Sequence, residues 1–518
     1  MNKLNIWLII ILILFLVLHY IYLSYKKSSI EIINEMGNGY NLGNLFDCYD
    51  KDVEIKDPID QITLCGNLFP TKKMISSIKK SGFNTIRFPV TWINFIDKSG
   101  YINIDWMKNV KEVIDLILNN NMYCILNLQN DGKKGNWLSE GIIAKDKYIN
   151  LWLQISNEFK NYDEHLIFES MDSFEDINYN STLNNYDYSS LLVLSQSFID
   201  TVRGTGGNNI DRLLLISGAN AELDLTCDLN YKIPKDPSNK IAISIHYYIP
   251  YTFTLENDYV IPYIDPYDDV EYYFYSDRDW GNDIEYNEII EDFEIMKSYF
   301  LDKGIPILIS EVGVITEEEK KIDSIIEFLY AVFSISANYN GIASCLWDTS
   351  NKNTGNMNYF NRENNEWYEK KIGDNFKEIS KGKYIRSLEY YGKTNSLTTY
   401  VDSNFEMYLK ISNKKPLKAI FNIKYKESAF YAISFGTYDK NGGINIIDLK
   451  KSKKKKEYDG SYTFTLDLRE EDCNQYIVLE KDEAFSLITF KYLTIEFEET
   501  FTFFNYKYYK EAISSYMQ

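Results

Sequence analysis

Residues 82–92 have the sequence GFNTIRFPVTW, an apolar run rich in β-branched residues that carries one arginine. Such a run is typical of a strand buried on both faces of a parallel sheet. Seven further runs follow the same rule, and stretches with helical spacing separate them. The eight runs are Gly39–Asn44, Thr85–Val90, Tyr123–Leu128, Leu166–Met171, Arg212–Ala219, Ile241–Tyr248, Ile305–Gly313 and Ser344–Ser350.

The alternation of strands with helices decides between two fold classes. Apolar residues recur at helical spacing most clearly in Trp106–Asn121, Ile149–Tyr162 and Ser324–Asn340. Eight strands that alternate with helices over about 340 residues predict an α/β protein with a (β/α)₈ barrel, the TIM barrel. A doubly wound open sheet is the alternative, but no Gly-rich phosphate loop follows the first strand.

The pattern changes near Lys393, where helical periodicity gives way to short alternating strands with turns between them. We therefore expect a barrel over residues 29–385 and a small all-β sandwich domain over residues 393–518. The lysine run Lys453–Lys456 is predicted to be a solvated loop between two strands. The predicted strands are Phe405–Leu409, Lys418–Lys424, Ala429–Ser434, Ser461–Leu468, Tyr476–Leu479 and Tyr492–Phe497.

The N-terminus carries an almost unbroken apolar run from Ile6 to Leu23. Its length of about 18 residues reaches the lower limit for crossing a bilayer. Lys26 and Lys27 follow it, and no Ala-x-Ala cleavage pattern is present. Residues 1–28 are therefore interpreted as a transmembrane signal anchor that leaves the barrel on the extracellular side. A cleaved signal and a secreted protein are the alternative.

Charge and composition exclude some classes of partner. The formal net charge is −20, whereas phosphate binding needs clustered Lys and Arg, so nucleic acid is not an expected partner. The chain has three His and six Cys without a CxxC pair, so neither a metal site nor a cofactor is expected. Cys124 and Cys345 lie in apolar runs and are interpreted as buried thiols. A disulfide between Cys48 and Cys65, which share a loop segment, is left open.

Residues that act in such a barrel lie at the C-terminal ends of its strands. In chain order these ends carry YNLGN (residues 40–44), IRFPVTW (86–92), LIFE (166–169), HYY (246–248), SEVG (310–313) and LWD (346–348), with VRGTGGNN (202–209) before the fifth strand. In this order and spacing the segments resemble glycoside hydrolase family 5, the large cellulase and mannanase family. The resemblance covers about Asn38 to Trp367.

This resemblance implies the chemistry of a retaining glycosidase, which needs a nucleophile and an acid/base carboxylate about 5–5.5 Å apart. It assigns the nucleophile to Glu311. The acid/base should follow the fourth strand, in a pattern that resembles Asn-Glu-Pro. Here Asp172, Ser173 and Phe174 occupy the three positions, and serine cannot protonate a leaving alkoxide near neutral pH.

A second departure lies after the third strand. The family pattern there resembles Asn-x-His-His, whereas this chain has Gln129 and Asn130 in place of the two histidines. Other residues of the family's cleft are retained and imply contacts with the nucleophile or with sugar. The resulting set of expected substrate-binding residues is Asn44, Arg87, Gln129, Asn130, Ser173, His246, Tyr248 and Trp347.

Three functions remain open from the sequence. The first is an impaired or non-catalytic, membrane-tethered binder of a β-linked polysaccharide or oligosaccharide. The second is an active endo-β-glucanase with a relocated acid, for which Asp172 is the main candidate, Glu175 another, and Glu169 a weaker one deeper in the strand. The third is a barrel kept only for protein contacts.

Overall fold

The computed structural model describes most of the chain, and its described residues form two compact units. The described parts of 1–248, 293–313 and 339–383 form the first unit, and those of 249–292, 314–338 and 384–518 form the second. The structure describes residues 26–48, 55, 57–131, 136–176, 186–255, 263–264, 271–272, 280–281, 283–316, 320–350, 357–382, 390–400, 406–410, 416–425, 433–438, 444–457, 460–469, 476–481 and 488–504.

Eight parallel strands of the first unit close into a barrel in the order β1-β8-β7-β6-β5-β4-β3-β2. Every strand residue is buried except His246, which is partly exposed at the end of its strand. Near-continuous apolar runs were the sequence signal for this burial, and the predicted (β/α)₈ barrel is confirmed. The strands are β1 (Gly39–Asn41), β2 (Thr85–Phe88), β3 (Tyr123–Leu126), β4 (Leu166–Glu169), β5 (Leu214–Ser217), β6 (Ile241–His246), β7 (Ile307–Val312) and β8 (Ile342–Leu346).

Strand β7 carries one residue more than β6 near its C-terminal end. Ile309 pairs with Ile245 but Glu311 pairs with His246, so Ser310 is the additional residue. The pairing of β7 with β8 shifts register at the same place along β7. An additional residue bends a strand and changes the direction of the side chains that follow it. Here it brings Glu311 opposite His246.

A short helix, α1, precedes the barrel and belongs to its apolar core. It begins with a capping box, in which Ser28 accepts a hydrogen bond from the backbone of Glu31 and Glu31 accepts one from the backbone of Ser28. Ile33 and Met36 of α1 share one apolar cluster with residues of strands β3, β4, β5, β6, β7 and β8.

The predicted helices form within a few residues of their expected bounds. Trp106–Asn121, Ile149–Tyr162 and Ser324–Asn340 correspond to α4, α5 and α10. The α-helices are α1 (Ser29–Met36), α2 (Pro58–Leu64), α3 (Lys72–Lys80), α4 (Ile104–Leu118), α5 (Lys145–Phe159), α6 (Tyr188–Gly204), α7 (Leu223–Thr226), α8 (Tyr251–Thr254), α9 (Asp283–Tyr299), α10 (Ile322–Asn338) and α11 (Lys370–Ser380). Short 3₁₀ helices span Ile93–Phe95, Trp137–Ala144, Gly207–Ile210, Ala219–Ala221, Leu301–Lys303 and Leu449–Lys451.

Two small hairpins accompany these elements. After β8, strands β9 (Phe360–Asn361) and β10 (Glu366–Trp367) pair antiparallel in the first unit. In the second unit Tyr263–Ile264 pairs antiparallel with Glu271–Tyr272.

The C-terminal part of the second unit consists of two antiparallel sheets. One has the strand order β11-β19-β13-β17-β16 and the other β12-β18-β14-β15. Phe421 of the first sheet stacks on Phe435 of the second, with ring centroids 5.5 Å apart. The packing of the sheets as a sandwich stays a prediction. The strands are β11 (Tyr390–Tyr400), β12 (Glu406–Lys410), β13 (Pro416–Lys424), β14 (Ile433–Tyr438), β15 (Ile444–Ile446), β16 (Lys453–Lys456), β17 (Tyr462–Asp467), β18 (Tyr476–Lys481) and β19 (Thr489–Phe504).

The lysine run forms a strand and not the predicted loop. Lys453–Lys456 is β16, at the edge of the five-stranded sheet, and all four of its residues are exposed. Lysines on an edge strand hinder pairing with other chains. Charge alone suggested a loop, but the ε-amino group of Lys454 lies over the ring of Tyr462, 4.2 Å from its centroid, so its stem can cover apolar surface.

The cysteines behave largely as the sequence indicated. Cys48 and Cys65 form a disulfide, with their Cα atoms 6.0 Å apart. Cys124 and Cys345 are buried free thiols, as predicted, and Cys227 is a third. Residues 6–23, interpreted as a membrane anchor, lie outside the described residues. No helix within the described ranges has both the length and the hydropathy of a membrane span.

Gly82 provides a test of how closely the barrel is packed. Its φ is +94°, and a Cβ atom there would lie 2.5 Å from the carbonyl oxygen of Phe376 in α11. Gly82→Ala should therefore lower the free energy of unfolding by about 2–4 kcal/mol. Gly204→Ala is the matched control, because nothing lies within 4 Å of that Cβ position. Urea unfolding followed by tryptophan fluorescence measures both, and equal stabilities would contradict the packing described.

Candidate active site

Arg87 lies at the centre of a buried cluster of carboxylates. Its side chain projects from β2 and is fully buried. Nε donates to Oε2 of Glu169 at 2.6 Å, Nη1 to Oε1 of Glu311 at 2.8 Å, and Nη2 to Oδ1 of Asp172 at 2.8 Å. A buried charge must be paired and hydrogen-bonded, and the planar guanidinium can direct its donors at several acceptors. One side chain thus connects β2, β4 and β7.

Residues on two other strands complete this cluster. Asn41 of β1 accepts from Nη1 of Arg87 at 3.1 Å and donates to the carbonyl of Ser310 at 2.8 Å. Ser244 of β6 donates to Oε1 of Glu169, whose other oxygen already binds Arg87. Glu169 is fully buried with both oxygens occupied, so it is not available as a replacement acid.

Glu311 is held by donors on both of its carboxylate oxygens. Oε1 binds Arg87, and Oε2 accepts a hydrogen bond from the hydroxyl of Tyr248 at 2.9 Å. Burial raises the pKa of Glu311 and the charge of Asp172 raises it further, whereas His246, Arg87 and Tyr248 oppose the rise. The pKa of Glu311 is therefore above its usual value, although two donors hold the side chain in place.

Asp172 and His246 form an ion pair beside Glu311. Nε2 of His246 lies 3.3 Å from Oδ1 of Asp172, and Nδ1 lies 3.7 Å from Oε2 of Glu311. Among the described residues, Nε2 has no partner with hydrogen-bond geometry. Burial by itself would lower the pKa of His246, but the charges of Glu311 and Asp172 outweigh it and raise that pKa above its ordinary value.

Asp172 is held in its charged form. Burial alone would raise the pKa of Asp172, but the charge of His246 and the charge and hydrogen bond of Arg87 outweigh it and hold that pKa well below its usual range. A carboxylate in this state accepts protons poorly and has none to donate near neutral pH. The geometry therefore disfavours Asp172 as a general acid.

The position that resembles the family's acid/base carries Ser173. It directly follows Asp172, is 7% exposed, and lies with Glu175 in residues 173–176, which form neither helix nor strand. A hydroxyl is a far weaker acid than a carboxylic acid, so Ser173 cannot protonate a leaving group. The separation of Ser173 from Glu311 stays a prediction.

Gln129 and Asn130 use their side-chain amides to fix loops. Oε1 of Gln129 accepts from the amide of Asn127 at 2.8 Å. Nδ2 of Asn130 donates to the carbonyl of Asp47 at 2.6 Å and to the hydroxyl of Thr91 at 3.1 Å. Both residues are nearly fully buried. In the part of the chain that the structure describes, neither side chain is hydrogen-bonded to the Glu311 cluster.

Trp347 and Asn44 flank the cluster at the ends of β8 and β1. The backbone N–H of Trp347 donates to the carbonyl of Val312 at 2.9 Å, which fixes the tryptophan next to the strand that carries Glu311. Trp347 is only partly buried, so part of its surface is available to stack on a sugar. Asn44 has a φ of +55° in the turn after β1.

Three potential metal ligands lie close together in the cluster. Asp172, His246 and Glu311 each present a ligand-type atom, and these atoms lie within 4.8 Å of one another. Arg87, however, already binds an oxygen of both carboxylates, and its positive charge opposes a divalent cation. The cluster suits proton and sugar chemistry better than metal binding.

Four polar residues of the cluster were not predicted as site residues: Asn41, Glu169 as a partner of Arg87, Ser244 and Ser310. Each is a fully buried residue of a barrel strand, and a polar residue in such a place must find a partner. That signal was present in the sequence. It does not say which polar residues meet, because that depends on strand register.

The barrel has counterparts among known proteins. Residues 50–353 match the model for Cellulase (glycosyl hydrolase family 5). Endoglucanase A of Paenibacillus barcinonensis is 32% identical over 358 residues, which are 65% of this chain and 86% of that protein. Endoglucanase A of Clostridium longisporum is 31% identical over 67% of this chain, and the match spans 65% of that relative.

Two solved structures show the same fold. The GH5-4 broad specificity endoglucanase from an uncultured bovine rumen ciliate is 53% identical, with a TM-score of 0.65 over 69% of this chain and 99% of that one. The GH5-4 broad specificity endoglucanase from Ruminococcus champanellensis with bound cellotriose is 27% identical, with a TM-score of 0.59 over 68% of this chain and 99% of that one.

Asp172→Asn tests the electrostatic coupling in the cluster. Removing the Asp172 charge should lower the pKa of His246, because that charge is one of the causes that raise it. The measurement is an NMR titration of the histidine ring protons. His165 is an internal control, because it lies just before β4, at the opposite end of that strand from Asp172. An unchanged titration of His246 would contradict the ion pair.

Proposed function

The chain belongs to glycosyl hydrolase family 5, and from this premise we propose that its barrel mouth binds a β-linked glucan but lacks the proton donor for ordinary hydrolysis. The observation that carries the proposal is the state of Asp172. Arg87 and His246 hold it ionised, next to the Ser173 that stands in the acid position. The cleft thus keeps one half of a retaining mechanism.

The retained half is the nucleophile. In a retaining glycosidase a carboxylate attacks the anomeric carbon and forms a covalent glycosyl-enzyme, which water then hydrolyses. Glu311 has the supports for that attack, since Arg87 and Tyr248 each hold one of its oxygens. When one oxygen forms the bond to carbon, the other keeps its hydrogen bond. Attack needs ionised Glu311, so its raised pKa favours activity on the alkaline side of its titration.

The missing half is general acid and base help. Without a proton donor, the departing sugar must leave as an alkoxide. Losing this help typically costs about 10²–10⁴ in rate. The same group would also activate water in the second step, so a covalent intermediate should persist longer than in a complete enzyme.

An active endo-β-glucanase with Asp172 as a relocated acid is the second candidate. It is favoured by the endoglucanase relatives and by the placement of Asp172 at the end of the same strand. The ion pairs of Asp172 oppose it, because a group that donates protons needs a pKa near the working pH. A large change in its surroundings on substrate binding would be required.

A β-linked glucan is the substrate class with most support. A related structure contains cellotriose and another cellotetraose. In this chain Trp347 offers a partly exposed ring beside the β7 strand of Glu311, and aromatic faces suit the apolar faces of pyranose rings. Tethering of the barrel outside the cytoplasm through residues 6–23 is part of the proposal and is supported by their apolar sequence alone, with secretion as the alternative.

An aryl β-cellobioside with a highly activated leaving group separates the two halves of the mechanism. Such a group needs no protonation, so the unaltered protein should release about one equivalent of phenol in a burst and then turn over slowly. Rapid mixing with absorbance detection measures the burst. Glu311→Gln should abolish it. Soluble β-glucan should be cleaved far more slowly or not at all.

Ser173→Glu should then raise cleavage of β-glucan by up to about 10²-fold, because a carboxylic acid beside anionic Glu311 would have a raised pKa. Ser173→Gln is the matched control, since it has a similar size but no acidic proton. The opposite result would be turnover of plain β-glucan by the unaltered protein that Asp172→Asn abolishes. That outcome would support the relocated acid and overturn the proposal.

A further inference from the structure

A second buried arginine lies at the C-terminal ends of the strands, apart from the Glu311 cluster. Arg362 follows β9 and is 8% exposed. Nη1 donates to the carbonyl of Gly43 at 2.7 Å, and Nε donates to the hydroxyl oxygen of Tyr40 at 3.2 Å. Nη2 binds the backbone carbonyl of Asp348. One guanidinium thus connects the end of β1 with Asp348, which lies two residues after β8.

The carboxylate of Asp348 completes this connection. Oδ2 accepts from the hydroxyl of Tyr40 at 3.0 Å and from the backbone N–H of Phe360 at 2.8 Å, and Oδ1 accepts from the backbone N–H of Ser350 at 2.7 Å. Buried polar networks in which every member is satisfied make a structure rigid. The turn after β1 and the segment after β8 are therefore fixed to each other.

This network fixes the ring of Trp347. A Cβ atom on Gly43 would lie 3.0 Å from Cζ2 of that ring, so the indole lies directly against the backbone of Gly43. The N–H of Gly43 donates to the carbonyl of Asp348 at 3.2 Å. Arg362 binds the carbonyls of Gly43 and Asp348. Gly43 lies against the indole ring, and Asp348 directly follows Trp347 in the chain.

We propose that Arg362 is a positioning residue that sets the position of the Trp347 ring beside strand β7, and through it the affinity of the cleft for a glucan ring. The inference rests on the proposed function, because it assumes that Trp347 stacks on sugar. Arg362 does not touch the sugar itself. Its effect passes through the backbone of Gly43 and Asp348, against which the indole is seated.

A purely structural role is the competing explanation, and the chain contains a matched control for it. Arg212 is also buried and also binds backbone carbonyls, those of Tyr162 and Asp163 at 2.8 and 2.9 Å among them. It precedes β5, so it lies at the end of the barrel away from Trp347. Loss of either arginine should destabilise the fold, because it leaves buried carbonyls without donors.

The experiment compares Arg362→Lys with Arg212→Lys. A lysine cannot direct donors at several carbonyls at once, so both variants should melt at lower temperature. Affinity for cellotetraose is then measured by calorimetry well below both melting temperatures. We expect Arg362→Lys to weaken binding about tenfold, a factor that corresponds to about 1.4 kcal/mol, and Arg212→Lys to bind as the unaltered protein does.

Trp347→Ala tests whether the effect passes through the ring. If Arg362 acts only by positioning the indole, adding Arg362→Lys to Trp347→Ala should cause no further loss of affinity. A full additional loss in the double variant would overturn the inference, and so would equal affinities of the Arg362→Lys and Arg212→Lys variants. Failure of the unaltered protein to bind any β-glucan would overturn the proposed function first, and this inference with it.

Gly43→Ala serves if Arg362→Lys does not fold. It keeps Arg362 but inserts a methyl group against the indole, so it should also weaken cellotetraose binding. Normal affinity in Gly43→Ala would show that the position of the ring does not control binding, and the inference would be wrong.

Discussion

One guanidinium that binds three buried carboxylates is the constraint on which the rest of the site depends. Arg87 contacts Glu169, Asp172 and Glu311 from inside the barrel. Removing one charged side chain from a buried ion-pair cluster leaves its partners unpaired and destabilises the fold by several kcal/mol. The strands must therefore meet in the register that brings these side chains together. The additional residue in β7, which aligns Glu311 with His246, satisfies the same requirement.

The excess of negative charge around Arg87 explains the chemistry proposed for the cleft. Three carboxylates face one guanidinium. The charges of Glu311 and Asp172 raise the pKa of His246, and burial together with the charge of Asp172 raises the pKa of Glu311. Asp172 contacts both cationic groups, Arg87 and His246, and stays ionised. Ser173, which directly follows Asp172, occupies the position that resembles the family's acid/base.

The sequence predicted the barrel well because burial on both faces of every strand leaves a strong apolar signal. It also predicted that Arg87, His246, Tyr248 and Glu311 would meet, since each lies at or near the C-terminal end of a strand. The additional residue of β7 could not be predicted, because strand register depends on contacts between distant segments.

Other differences have similar causes. The side-chain amides of Gln129 and Asn130 form hydrogen bonds within the protein, and their contact with substrate stays a prediction. The partners of Asn130, Asp47 and Thr91, come from distant segments that no local pattern identifies. Arg362 was missed for the same reason, since it follows the last barrel strand and acts at the end of the first. The run Lys453–Lys456 looked like a loop because charge was considered without the stacking of lysine on an aromatic ring.

The dependence of rate on the leaving group tests the central claim most directly. A set of aryl β-cellobiosides with phenols of graded pKa should be reacted with the unaltered protein, and log kcat/KM plotted against the pKa of the phenol. Without a proton donor, charge accumulates on the departing oxygen, so the account predicts a steep fall as that pKa rises. A shallow or flat dependence would show that the leaving oxygen is protonated during cleavage, and would contradict the account.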